Sequence, residues 1–174
     1  MQEIDIQNGV TVSIDKNKVT IKGKLGSCTK TFNERLFSIN HEGQKLKLIT
    51  TNNKKLLKKA ALAEQAFGSE LKNSIKGVQE GLETKMTILY AHFPMSLDIK
   101  GKTVFVKNIF GERFPRETTI VGDTKIEVKG QSVVVKGVDA YDVGQTVANL
   151  RKICYARGND TRVFQDGIYK ILEE

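Results

Sequence analysis

Apolar and polar residues alternate along several short stretches of the chain. Val10, Val12 and Ile14 face one way, and Asp15-Lys16-Asn17-Lys18 turns the chain back into Val19-Thr20-Ile21. A period of two puts every second side chain on one face of a strand, so the pattern predicts a hairpin. Leu97-Asp98-Ile99 passes through Lys100-Gly101-Lys102 into Val104-Phe105-Val106, a second hairpin with glycine in its turn. Lys125–Lys129, then Gly130-Gln131, then Ser132 to Lys136 makes a third. Its inward set is Ile126, Val128, Val133 and Val135, leaving Lys125, Glu127 and Lys129 for solvent or a partner. The apolar stretch from Leu82 to Pro94 has neither Gly nor Ser, so a strand is expected there and not a flexible linker.

In two places the period lengthens to that of a helix. Leu56, Ala60, Ala63, Phe67, Leu71 and Ile75 make one apolar face of a helix running from Lys54 to about Lys76. Asn52 or Asn53 is its expected cap, and Gly77 and Gly81 its expected end. Gly68 costs such a helix about 1 kcal/mol relative to alanine and argues against one unbroken run. Lys54, Lys55, Lys58 and Lys59 read as a solvated face on its first turns. The second helix has Asp139 as N-cap, Asp142 three residues on, and a stripe of Val143, Val147, Leu150 and Cys154. That stripe makes Cys154 a small core residue.

The chain is written twice. Val10, Val12, Ile14, Val19, Ile21, Lys22, Leu25 and Gly26 recur 85 positions later as Met95, Leu97, Ile99, Val104, Val106, Lys107, Phe110 and Gly111. Ile39 and Gly43-Gln44-Lys45-Leu46-Lys47-Leu48 recur 87 positions later as Ile126 and Gly130-Gln131-Ser132-Val133-Val134-Val135. Order, spacing and element type coincide, which indicates a tandem duplication. The expected domains are residues 1–82 and 83–174. Cores of this size bury only a little over roughly 60% of their unfolded surface and lean on a neighbour or partner.

Charge narrows the partner. With 28 Lys+Arg against 20 Asp+Glu, the 174 residues carry a net charge of +8, which favours a polyanion such as nucleic acid. Cys28 and Cys154 are too few for a disulfide framework, and neither they nor His41 and His92 have metal-ligand spacing. The first residues lack the pattern of a secretory signal, and no apolar run approaches a membrane span, so a soluble protein of a reducing compartment is expected. No phosphate loop, nucleophile elbow or His-Glu-x-x-His motif is present, and Gly144-Gln145-Thr146 falls within a helical pattern. Asp160 and Asp166 have no accompanying base, so an enzyme is not expected; an aspartate between arginines holds those arginines in place.

The tail from Arg157 to Tyr169 mixes arginines, amides, glycine and aromatics. Arginine offers a planar fork to phosphate and stacks on bases, Gln165 and Asn159 can read sugar or base edges, and Gly167 lets backbone come close to a bulky partner. The competing reading is a closing strand that pins Val163, Ile168 and Ile171 to a sheet.

Several motifs in order resemble one family. Asn73-Ser74-Ile75-Lys76-Gly77-Val78-Gln79-Glu80-Gly81-Leu82, Lys85-Met86, Tyr90-Ala91-His92-Phe93-Pro94 and Asn108-Ile109-Phe110-Gly111-Glu112 are similar to the universal large-subunit ribosomal protein six (L-six) family. So are Val143-Gly144-Gln145-Thr146-Val147-Ala148-Asn149 and Arg162-Val163-Phe164-Gln165-Asp166-Gly167-Ile168-Tyr169. The resemblance is to the archaeal and eukaryotic type, with the tail nearest the archaeal branch, and it covers nearly the whole chain. It departs at Asn73-Ser74, where the family usually has Asn-Met, a difference that touches packing at the helix end.

The resemblance implies an α+β fold of two tandem duplicated domains, each a small antiparallel sheet packed against one helix. It implies a cytoplasmic, structural constituent of the large ribosomal subunit near the sarcin-ricin loop and the translation-factor site. Catalytic residues, cofactor and membrane have no part in it. The implied partners are large-subunit ribosomal RNA and neighbouring ribosomal proteins, with translation factors nearby. The RNA-binding role falls on Lys152, Tyr155, Arg157, Arg162, Gln165, Gly167, Tyr169 and Lys170. The alternative is a free-standing RNA-binding or protein-adaptor module built on the same tandem fold.

Overall fold

A computed structural model describes residues 2–6, 9–42, 45–50, 56–158 and 160–171. The expected caps Asn52 and Asn53, Lys54 and Lys55, the repeat residues Gly43 and Gln44, and Asn159 lie outside the described residues. The chain divides into two compact units, Met1–Gly81 and Leu82–Glu174.

The first unit runs β1 (Gln2–Asp5), β2 (Thr11–Asp15), β3 (Lys18–Lys22), β4 (Ser27–Thr31), β5 (Phe37–Glu42), β6 (Lys45–Thr50) and α1 (Leu57–Glu80). Two antiparallel sheets result, β2-β3-β4 and β1-β6-β5. Val19, Ile21, Leu46 and Leu48 come off the sheets and meet Ala60, Phe67, Leu71 and Val78 of α1, all buried. Phe32 stacks on Phe37, and Phe67 packs tilted against both, with ring centroids 5.4–5.7 Å apart.

Helix α1 differs from expectation at two glycines. It passes unbroken through Gly68 and continues beyond Gly77 to Glu80, ending at Gly81, whose φ of 77° suits glycine. The reason is tertiary. Val78 is buried, its carbonyl accepts the N–H of Leu25 at 3.0 Å, and a side chain at Gly23 would come within 2.7 Å of it. Packing against this loop outweighs the helix cost of Gly77. Lys58 and Lys59 are exposed, as a solvated face requires. Ser74 is buried, and the Cys28 thiol donates to its Oγ at 3.7 Å.

The second unit opens with β7 (Leu82–Leu89), then β8 (Ser96–Lys100), β9 (Thr103–Lys107), a 3-10 turn at Ile109–Gly111, and β10 (Arg116–Thr119). It continues with β11 (Lys125–Lys129), β12 (Ser132–Gly137), α2 (Ala140–Ile153) and β13 (Gly167–Lys170). Its sheets are β10-β9-β8 and β11-β12-β7-β13. Met86, Ile88, Val104, Val106, Val133 and Val135 share one core with Val143 and Leu150 of α2 and with Cys154, which caps its end. Asp139 caps α2 as expected, its carboxylate accepting the N–H of Tyr141 at 2.9 Å.

The duplication is visible element by element. β8 and β9 repeat β2 and β3 at the same spacing and register, and β7 pairs with β12 as β1 pairs with β6. The two-residue turns match as well: Lys16 in one hairpin and Gly101 in the other both have positive φ. The described strands thus form four separate antiparallel sheets, and the fold is α+β with tandem duplicated domains. Two differences separate the halves. Helix α2 has 14 residues against 24 in α1, and β13 pairs along the free side of β7, where the first sheet has no described strand.

Candidate nucleic-acid interface

The short helix leaves an end that must be closed. The last carbonyls of a helix have no partner inside it, and here a single side chain supplies one. Arg116, on β10, donates through Nη1 to the carbonyls of Ile153 at 2.7 Å and Tyr155 at 2.9 Å. Its Nε and Nη2 grip both oxygens of Glu112 at 2.8 and 2.5 Å, and its guanidinium lies 5.7 Å from the centre of the Phe110 ring. The paired guanidinium holds the Glu112 carboxyl below its usual range, and Glu112 in turn raises that of Arg116. Strand β10 places this arginine opposite Val106, where the first unit has Cys28 opposite Ile21. One repeat thus has a small thiol against a long helix, and the other a charged clamp on a short one. Arg116 was not among the residues expected at the site; the signal for it was Glu112 and Arg116 at a spacing of four.

From the clamped helix end the chain enters the tail. Asp160 accepts the backbone N–H of Arg162 at 2.9 Å and its Nε at 3.3 Å, and the Asp160 carbonyl accepts from Val163 and Phe164. This aspartate holds its arginine in place, as the sequence suggests. Phe164 meets Phe110 edge-on at 5.8 Å. Gln165 donates an amide N–H to the Arg162 carbonyl at 2.9 Å, and its own carbonyl accepts the Tyr169 hydroxyl at 2.8 Å. Asp166 accepts the N–H of Ala91 at 2.9 Å, tying the tail to the loop after β7.

Of the two readings offered for the tail, the closing strand is present over its last residues. Gly167–Lys170 is the closing strand β13, with Ile168 buried and paired to Ile88, and the Ile171 N–H donates to Lys85 at 3.0 Å. Val163 is not pinned to a sheet; it is 73% exposed in the loop before the strand. Gly167 also has a physical reason within the fold. It is buried, and a side chain there would meet the Tyr169 ring at 3.3 Å, so its bareness serves packing within the tail.

A groove of about 790 Å³ opens between α2, the tail and β13. It gathers six of the eight expected residues: Lys152 and Tyr155 from the helix end, Arg157 from the loop, and Gly167, Tyr169 and Lys170 from the strand. Its floor is apolar, made by Met86, Val147, Ala148 and Ile168. Arg151 adds a fourth cation, and Asp166 is the one carboxylate among the lining residues. Gln165 lies instead in a neighbouring depression with Leu89, Tyr90 and Ala91. Arg162 lines neither; its side chain is 88% exposed and paired with Asp160.

This arrangement suits binding of a polyanion with flat, apolar parts. Cations free to face phosphate surround a recess with aromatic walls. Cys154 lines the groove, but burial pushes its thiol up to about 11, so it stays protonated and inert near neutral pH.

The geometry agrees with what the chain is similar to. A family described as Ribosomal protein L6 matches residues 6–81 and 93–167, one repeat each. A "Large ribosomal subunit protein uL6" of Thermoplasma acidophilum is 39% identical over 170 residues, covering 98% of this chain and 94% of that protein. The protein of the same name from Methanosarcina mazei is 42% identical over 167 residues, covering 95% and 93%. With both repeats matched and close relatives aligned from end to end, the chain belongs to the ribosomal protein L6 family, whose members are structural and not catalytic.

Proposed function

We propose that the chain is a structural constituent of the large ribosomal subunit that binds large-subunit ribosomal RNA through its C-terminal repeat, residues 83–174. The observation that carries this reading is the convergence of Lys152, Tyr155, Arg157, Tyr169 and Lys170 on one groove, beside a helix end that Arg116 clamps. Arg162 and Gln165 extend the contact surface beside it. The net charge of +8 and the names of the relatives support the same partner. The finer placement, beside the sarcin-ricin loop and the translation-factor site with other ribosomal proteins as neighbours, follows from the family resemblance.

Co-sedimentation with large subunits in high salt is the first test, because an integral component stays bound. Replacing Arg157 and Arg162 together by alanine is the second. Each removes a donor worth roughly 1.5–3 kcal/mol if its contact is desolvated and less at a wet rim. RNA affinity should fall while the melting temperature stays put, since exposed arginines rarely contribute more than about 1 kcal/mol to folding. Affinity should also fall with salt, with a log–log slope of roughly −0.7 to −0.9 per phosphate contact. Unchanged affinity and a flat salt response would favour the free-standing adaptor.

A further inference from the structure

We propose that the groove between α2 and β13 receives one unpaired base of the bound RNA, turned out of its helix, with the cations at its rim holding the adjoining phosphates. This rests on the RNA-binding reading and adds which part of the RNA enters.

The apolar floor is the starting point. A surface that only neutralises backbone presents cations and has no use for a recess lined by Met86, Val147, Ala148 and Ile168. A recess of about 790 Å³ is of the size that takes a small organic group together with its surroundings. An RNA offers such a group only where a base is unpaired and unstacked, because the faces of paired bases are stacked inside the helix.

The walls and rim match the chemistry of a nucleotide. Tyr155 is 62% exposed and Tyr169 41%, so both rings are available at the groove. The Tyr169 hydroxyl is bonded to the Gln165 carbonyl at 2.8 Å, which fixes the ring and keeps a face ready for stacking. Arg151, Lys152, Arg157 and Lys170 surround the recess, and its one lining carboxylate, Asp166, is engaged by Ala91. A flat apolar plate flanked by negative charge is complementary to this combination.

Gly144 adds an independent sign. It sits inside α2, where glycine costs roughly 0.5–1 kcal/mol relative to alanine, yet a side chain there would meet no atom within 4 Å. Packing within the unit does not demand a glycine at this position. It lies on the groove wall, where bareness keeps the recess open.

Chemical probing of the full chain bound to deproteinised large-subunit ribosomal RNA tests the proposal. Hydroxyl radicals report the backbone, while dimethyl sulfate and a carbodiimide report base edges. The wild type should protect at least one unpaired base. Gly144→Leu, which fills the groove from a position with room for it, and Tyr155→Ala, which removes an exposed ring, should both re-expose that base and leave most of the backbone footprint. Loss of one stacked base should weaken binding by Tyr155→Ala roughly 5- to 150-fold. A backbone footprint in which no base responds to either variant overturns the proposal and points the groove to a protein neighbour. Absence of any footprint overturns the RNA-binding reading and this inference with it.

Discussion

Arg116 closes the end of α2 from which the tail leaves, and Arg116→Ala tests that clamp. The substitution removes four charge-assisted hydrogen bonds, two to the end of α2 and two to Glu112. The Glu112 side chain is 41% exposed, so water replaces most of what that carboxylate loses. The carbonyls of Ile153 and Tyr155 matter more, because the Arg116 side chain that serves them is 22% exposed and the Ile153 contact is partly buried. Bonds to a charged donor contribute about 1.5–3 kcal/mol each, and two that share one donor do not add fully. A loss of about 2–3 kcal/mol follows. For a unit of this size each kcal/mol is worth roughly 4–8 °C, so its melting temperature should fall by about 8–24 °C. Thermal unfolding followed by near-ultraviolet circular dichroism reads this directly, since the unit carries several tyrosines and phenylalanines. Arg116→Lys should recover part of the loss, because an ammonium reaches one carbonyl but cannot fork between carbonyl and carboxylate. RNA affinity should drop with Arg116→Ala although the residue is not expected to touch RNA. A melting temperature within about 2 °C of the wild type, together with unchanged affinity, would refute the clamp.

Four further outcomes are expected, one from the same ion pair and three from other sites. The Glu112 carboxyl is held below its usual range by Arg116, so its contribution is complete above the unfolded value, about 4.3, and is lost as pH falls through the folded value. Acid titration of the second unit should therefore show a loss of stability below about pH 4.3 that Glu112→Gln diminishes. Gly144→Ala should raise stability by about 0.5–1 kcal/mol, read as a small rise in melting temperature; a fall would mean the wall is not open. Gly137→Ala should cost about 1–3 kcal/mol in a denaturant titration, because its side chain would lie 2.6 Å from a methyl of buried Val143. Both cysteines are buried, and Cys154 is pushed up to about 11, so a thiol reagent at pH 8 should label them only as the chain unfolds.

What could be read from the sequence was set by which side chains face inward. Hairpins whose inner faces are Val, Ile and Leu were legible, and so was the Asp139 cap. Strand β4 was not, because its inward residues are Cys28 and Lys30 and its alternation is invisible to hydropathy. Lys30 lies with its stem in the core and its ammonium 3.0 Å from Glu70, an arrangement no local pattern announces. β10, with Arg116 and Thr118 on its less exposed face, was hidden for the same reason. Of the eight residues proposed for RNA, Lys152, Tyr155, Arg157, Gly167, Tyr169 and Lys170 share one groove, while Gln165 and Arg162 lie outside it. The groove itself depends on how far α2 runs and which edge β13 takes, and both are decided by contacts distant in sequence.

The pairing of β13 with β7 joins the last described strand of the second unit to its first. Contacts between the two ends of a segment form late, since loop closure must precede any gain from them. β7 through α2 precede Gly167–Lys170 in the chain, so they are made before the strand that pairs along the free side of β7. A chain cut short before Gly167 keeps the hairpins and the helix but lacks one wall of the groove. Losing β13 would thus strip the groove of its strand wall and leave buried Ile88 without its paired neighbour Ile168.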